Sequence, residues 1–214
     1  MKNIIFSADL QYSYKIFNIL DIIGEYIYGL KIHCDIILDW NDDVIKKLKE
    51  YKNKYNIIII EDRKWCDIGN TTTLQLQNKF YKYDKWVDMF TVHSISGEGP
   101  VKSIYNYNKN IKVLLIAEMS TQDNLIDENY TKKTINIAHN NKNVIGYICQ
   151  NKIDNDFYLH MSPGVNINTN KDDNKQNYNH PKKMIEKGID YLIVGRGLYL
   201  SNNIEDEIKK YLIY

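Results

Sequence analysis

Proline and cysteine are scarce in this chain, three of each in 214 residues. The thiols, Cys34, Cys66 and Cys149, are odd in number and widely spaced. That pattern argues against a disulfide framework or a zinc site and suits a reducing compartment. No apolar run approaches the roughly 20 residues that cross a bilayer. The opening segment, Met1-Lys2-Asn3-Ile4-Ile5-Phe6-Ser7-Ala8-Asp9, has too short an apolar part for a secretory leader and reads as a first strand. A cytoplasmic protein without a membrane partner is expected. Charge is balanced, with 28 Lys and Arg against 27 Asp and Glu for a net +1, so no basic field argues for nucleic acid. Phosphate-loop, dinucleotide and zinc motifs are missing, so neither cofactor nor metal is expected.

What the chain does have is Asn, Lys, Ile and Tyr, with little Ala. We read this as a coding bias toward AT-rich codons, with the Asn and Lys runs at the surface. The length fits one domain, residues 1–214, with a substantial core. Short apolar runs predict strands at 4–8, 28–32, 57–60, 89–93, 113–117, 144–149, 157–160 and 191–194. Helical periodicity occupies 12–23, 44–55, 72–81, 131–140, 181–187 and 204–212. Alternating strands and helices imply a parallel sheet, and eight strands favour a small, closed (β/α)8 TIM barrel. Helices after strands four and six should be short or missing. The irregular stretch 162–180 is long enough to be a lid or binding loop, or else a padded surface loop.

Ile57-Ile58-Ile59-Ile60 is an unbroken β-branched run and reads as a buried parallel strand. Behind it comes Glu61-Asp62-Arg63-Lys64-Trp65-Cys66-Asp67-Ile68-Gly69-Asn70-Thr71. Taken alone, so charged a run also fits a solvated turn with ordinary ion pairs. At a strand's carboxyl end, however, it stands where α/β folds carry out chemistry. Other strand ends would bring Ser7-Ala8-Asp9, then Lys31, His33 and Asp35, then His93, Ala117-Glu118-Met119-Ser120, Pro163-Gly164 and Gly195-Arg196-Gly197 to the same rim. In the last of these, two glycines would let backbone N–H groups approach an anion, and Arg196 supplies charge-assisted donors. This is a candidate phosphate site after strand eight, or alternatively a turn that starts a helix with one surface arginine.

Asp62, Lys64 and Asp67, with Lys31, form an alternating array in which opposite charges keep Lys64 a cation at neutral pH. A buried ammonium held this way is a proton donor, and its flanking carboxylates repel a bound anion. At about 4 Å and an effective dielectric near 20, one such contact is worth ~4 kcal/mol. A substrate carboxylate that left as CO2 would relieve that repulsion, and the remaining carbanion could take the lysine proton. The pattern therefore points to a decarboxylase that needs no cofactor.

Asp62-x-Lys64-x-x-Asp67 resembles the catalytic motif of the orotidine 5′-phosphate decarboxylases, and Glu61 through Thr71 resembles its form in the eukaryotic branch. The resemblance extends over essentially the whole chain. Ser7-Ala8-Asp9, Leu30-Lys31-Ile32-His33-Cys34-Asp35-Ile36, Ile116-Ala117-Glu118-Met119-Ser120, Ser162-Pro163-Gly164-Val165, Gln176-Asn177-Tyr178 and Val194-Gly195-Arg196-Gly197 follow in matching order. It implies a carboxy-lyase that makes UMP, the last step of de novo pyrimidine synthesis. Lys64 would protonate C6 of the pyrimidine, while Asp62 and Asp67 hold Lys64 and crowd the substrate carboxylate. Asp9 and Lys31 would bind the ribose hydroxyls, and Ser120 the pyrimidine edge. Pro163 and Gly195 would line the substrate site, with Gln176, Tyr178 and Arg196 gripping the 5′-phosphate. Asp67 and Thr71 would reach into a neighbouring subunit's site, making an obligatory homodimer.

Some positions depart from that pattern. The family's Gly-Asp-x-x-Gly-Gln lid stretch reads Lys171-Asp172-Asp173-Asn174-Lys175-Gln176 here, without its glycines. The segment Ser94-Ile95-Ser96-Gly97-Glu98-Gly99-Pro100 also diverges. Cys66 stands where a small apolar residue is usual and reads as a packing residue. His33 and His93 read as packing or hydrogen-bonding groups. The chain starts close to its first strand, so the phosphoribosyltransferase fused to some relatives is not expected. Two rivals remain. One is a magnesium-dependent sugar-phosphate decarboxylase or aldolase with the same Asp-x-Lys-x-x-Asp spacing. The other is a non-catalytic nucleotide-binding protein. Ser120 with Gln176 and Tyr178 speak against the first, and the intact charge array against the second.

Overall fold

The computed structural model describes residues 2–168 and 178–214. Its eight strands, β1 (Ile4–Ser7), β2 (Gly29–Ile32), β3 (Ile58–Trp65), β4 (Met89–His93), β5 (Lys112–Ile116), β6 (Val144–Ile148), β7 (Leu159–Ser162) and β8 (Tyr191–Val194), are all parallel. They close in chain order, β8 returning to β1 with Ile193 opposite Ile5. Period-two alternation splits the strand side chains between two layers. Ile5, Ile60, Leu114, Ile116, Ile148, Met161 and Ile193 fill the barrel. Ile4, Phe6, Leu30, Ile59, Phe90, Leu115 and Val194 meet the surrounding helices.

The helices are α1 (Ser13–Ile23), α2 (Asp42–Tyr55), α3 (Gly69–Leu76), α4 (Gly99–Tyr107), α5 (Glu128–Asn140), α6 (Pro181–Glu186), α7 (Arg196–Tyr199) and α8 (Ile204–Tyr211). α2 shows why these segments are helical. Asn41 caps it by accepting from the Asp43 and Val44 N–H groups, and Asp42 and Asp43 sit at the positive end of its dipole. Val44, Ile45, Leu48, Tyr51 and Tyr55 make its buried stripe. Asn56 then ends it in the left-handed conformation, φ 50°.

Three expectations need correction. β3 does not end at Ile60 but runs through the charged motif to Trp65, because it pairs again with β4 beyond an irregularity. The seventh strand starts two residues later than predicted. Asn155 Oδ1 accepts from Phe157 N at 2.9 Å and closes a turn there, leaving Phe157 exposed. As expected, the helix after strand four is short, the nine residues of α4, and β6 passes to β7 without one. α4 packs so closely on α3 that a Cβ on Gly99 would lie 3.0 Å from the Gly69 backbone nitrogen. The third correction is α3, which spans Gly69–Leu76 where apolar periodicity predicts 72–81.

Candidate active site

The carboxyl ends of the strands surround a cavity of about 260 Å³, just below the usual range of small-molecule sites, about 300–1,000 Å³. Asp9, Lys31, Asp62, Lys64, Ser120, Pro163, Tyr178, Gly195 and Arg196, all expected there, line it together. So do His33 and Glu118. Gln176 lies outside the described residues. Asp67 and Thr71 do not line the cavity. Asp67 is exposed on the turn into α3, where its Oδ1 accepts from Ile68 N at 2.7 Å, and within the chain it does not meet Lys64. Asp35 likewise stands apart, paired with Arg63 at 2.7 Å.

Asp62 is the centre of the charged end. Its Oδ2 pairs with Lys31 Nζ, lies 2.8 Å from Lys64 Nζ and 3.2 Å from His33 Nε2. Its Oδ1 accepts from the Thr91 hydroxyl at 2.7 Å. Asp9 extends the array, 3.8 Å from Lys31 Nζ, with the Ser7 hydroxyl donating to it at 3.1 Å. Lys31 and Asp62 are both almost wholly buried, and buried charges persist only when paired. Burial opposes the charge on each. The Asp62 and Asp9 carboxylates nevertheless hold Lys31 above the usual ammonium range. Lys31, with help from His33 and Lys64, holds Asp62 well below the usual carboxylate range. Both are therefore ionised at neutral pH. Burial, and then the Lys64 charge, keep His93 below the ordinary imidazole value.

Lys64 departs from the expected buried ammonium: its side chain is 37% exposed, open to the cavity mouth. Its backbone has φ 51°, the left-handed region that non-glycine residues seldom adopt. Cys66, expected to pack, is exposed. The far end of the cavity is the candidate phosphate site. Gly195 passes so close to β1 that a Cβ would lie 3.2 Å from the Ser7 carbonyl oxygen. Arg196 follows, its guanidinium 5.6 Å from the centre of the Tyr178 ring. Gly164, at φ 69°, turns the chain beside Pro163.

Two groups have roles that the sequence did not assign them. Glu118 accepts from the Gln150 and Asn151 N–H groups at 2.6 and 3.1 Å and ties the ends of β5 and β6 together. Glu61, fully buried on the opposite face of β3 from Asp62, accepts from Cys34 N at 3.0 Å and from Cys34 Sγ at 3.3 Å. Burial pushes its carboxyl up to about 8 from an ordinary 4.5, although the Cys34 N–H opposes this. Below the unfolded value both states hold the proton, and this contribution to stability is fully present. Between about 4.5 and 8 the unfolded chain ionises while the native one stays protonated, so stability falls as pH rises. The slope is at most about 1.4 kcal/mol per pH unit. Glu61→Gln removes the titration. Melting temperatures at pH 5 and pH 8.5 should show the variant gaining on the parent as pH rises. A constant difference between the two proteins would mean that Glu61 is already ionised in the folded state.

The chain matches the profile of the orotidine 5′-phosphate decarboxylase / HUMPS family over residues 2–211. It is 37% identical over 204 residues to the orotidine 5′-phosphate decarboxylase of Rhizopus oryzae, a match covering 92% of this chain and 77% of that protein. The enzyme of the same name from Mucor circinelloides f. lusitanicus is 34% identical over 217 residues, covering 98% of this chain and 82% of its own. In fold, the chain is similar to the crystal structure of orotidine 5′-monophosphate decarboxylase from Methanocaldococcus jannaschii complexed with the inhibitor BMP. That likeness has a TM-score of 0.76 at 22% identity and covers 100% of this chain and 98% of the other.

Proposed function

The chain belongs to the orotidine 5′-phosphate decarboxylase / HUMPS family, and we propose that it converts orotidine 5′-phosphate to UMP and CO2 in the cavity at the barrel mouth. The observation that carries this reading is the Asp62-centred array, a buried carboxylate with the Lys64 ammonium 2.8 Å away at the edge of the cavity. Relatives at 34–37% identity named for this activity support it over the sugar-phosphate reading.

In this mechanism Arg196, Tyr178 and Gln176 hold the 5′-phosphate, and Gly195 and Pro163 shape its end of the site. Asp9 and Lys31 take the ribose hydroxyls, and Ser120 the pyrimidine edge. The substrate carboxylate is then placed beside Asp62, whose charge is fixed by Lys31. Repulsion between the two anions is relieved only as the C6–carboxylate bond breaks and neutral CO2 departs. The electron pair left on C6 takes a proton from Lys64 Nζ, and Lys64 recovers its proton from solvent. Because no electron sink spreads the carbanion charge, the preformed array must do most of the stabilising.

The reading includes a homodimer with shared sites, Asp67 and Thr71 completing the partner's cavity. Exposed Ile68 and Leu74, 63% and 62% accessible on the same segment, support such an interface. Among the described residues no helix is long and apolar enough to cross a membrane, and we place the protein in the cytoplasm. The test is the ultraviolet absorbance of orotidine 5′-phosphate followed with purified protein, with and without EDTA. Turnover should be unchanged by chelation. Loss on chelation with recovery in magnesium would favour the sugar-phosphate reading instead.

A further inference from the structure

β3 and β4 fall out of step at the charged motif. Glu61 lies opposite Phe90, yet the next paired residue, Trp65, lies opposite Val92. Four steps along β3 therefore match two along β4, and Asp62, Arg63 and Lys64 bulge from the ladder. Within the bulge the Lys64 N–H bonds a β4 side chain, as a backbone N–H taken out of its ladder must find another acceptor. Thr91 is the β4 residue between Phe90 and Val92, and it is 1% exposed. Its Oγ1 accepts from Lys64 N at 3.0 Å and donates to Asp62 Oδ1 at 2.7 Å.

That hydroxyl has one proton and two lone pairs. With the proton committed to Asp62, a lone pair is left for the Lys64 N–H, so the two bonds support each other's direction. The first sets the rotation of the Asp62 carboxylate. Oδ1 is turned to β4, and Oδ2 is left to Lys31, Lys64 and His33. The second holds the left-handed backbone of Lys64, φ 51°, from which its side chain returns to Asp62. Such a backbone persists in a non-glycine residue only when its surroundings fix it.

We propose that Thr91 is a positioning residue for the decarboxylation, its hydroxyl fixing at once the Asp62 carboxylate and the Lys64 backbone that together present the proton donor. This rests on the functional reading above. Thr91 does not line the cavity, so it acts through Asp62 and Lys64 and not on the substrate.

The experiment compares wild type, Thr91→Val and Thr91→Ser. Valine keeps the shape and loses the hydroxyl, whereas serine keeps the hydroxyl and loses the methyl. Orotidine 5′-phosphate turnover is measured per site, with sites counted by calorimetric titration with UMP. Thr91→Val should lose roughly 10- to 100-fold in kcat, the scale of a lost hydrogen bond to a charged group. Its UMP affinity and the kcat of Thr91→Ser should both stay within about threefold of wild type. Full kcat in Thr91→Val overturns the proposal. So does an equal fall in Thr91→Ser, which would make the methyl contact the cause, or a loss of UMP affinity as large as the loss of kcat. If Thr91→Val does not fold, Thr91→Ala against Thr91→Ser decides, since only alanine lacks the hydroxyl, and equal rates overturn the role. A wild type inactive on orotidine 5′-phosphate would defeat the functional reading and this inference with it. An active wild type with an indifferent Thr91→Val defeats the inference alone.

Discussion

Lys64→Ala should abolish turnover, with a loss of at least about 10³-fold, while leaving a folded protein that still binds UMP. General acid groups contribute about 10²–10⁴-fold on their own, and here the same ammonium also balances Asp62. The fold should survive, because Asp62 keeps Lys31, His33 and the Thr91 hydroxyl as partners. Alanine also meets the same backbone demand at φ 51° as lysine does, since both carry a Cβ. UMP has no carboxylate at C6, so its phosphate and ribose contacts do not involve the missing ammonium. An activity assay beside calorimetric titration with UMP separates the two effects. Residual decarboxylation near the parent rate would show that another group, or water, delivers the proton. Loss of UMP binding would show that Lys64 serves the ground state as much as the reaction.

How far the sequence alone led is clearest at β3. Its tetra-isoleucine run reads as a buried strand, and the other strand ends, not the charged run alone, favour a place on the barrel rim for the acids and lysine behind it. The cavity accordingly collects Asp9, Lys31, Asp62 and Lys64 from three successive strand ends. The bulge within β3 was not readable, because its local cause is a pairing choice with β4 and not a glycine or proline in the chain. Thr91 was hidden for the same reason. In Met89-Phe90-Thr91-Val92-His93 a threonine looks like one more β-branched strand residue, and only the register reveals what its hydroxyl faces. Glu61 was hidden by its neighbours. In a run of charges nothing marks the one that alternation turns away from the rim and buries beside Cys34. The seventh strand was misplaced because Phe157 and Tyr158 carry strand propensity, whereas the Asn155 side chain imposes a turn. The reading was most secure where several residues of one face agreed. It was least secure where one hydrogen bond to a distant strand decided the geometry.

Mixing two inactive variants, Lys64→Ala and Asp67→Ala, should restore activity to about a quarter of wild type once the subunits are exchanged. Asp67 leaves β3 on an exposed turn before α3, accepts there from Ile68 N, and lies outside its own cavity. If the reaction needs this carboxylate, its place outside its own cavity leaves it to serve a second copy. In a two-fold dimer built from one copy of each variant, one site contains both lesions. The other takes Lys64 from the Asp67→Ala subunit and Asp67 from the Lys64→Ala subunit, and is intact. Random reassortment of equal amounts makes about half of the dimers hybrid, each with one working site of two, hence about a quarter of the full rate. Denaturing and refolding the mixture, with native mass spectrometry to count hybrids of distinguishable mass, provides the measurement. Each variant refolded alone should stay near zero. Hybrids present in the expected proportion but without activity would place Asp67 in its own subunit's site. Recovery would show that one working site draws Lys64 from one copy and Asp67 from the other.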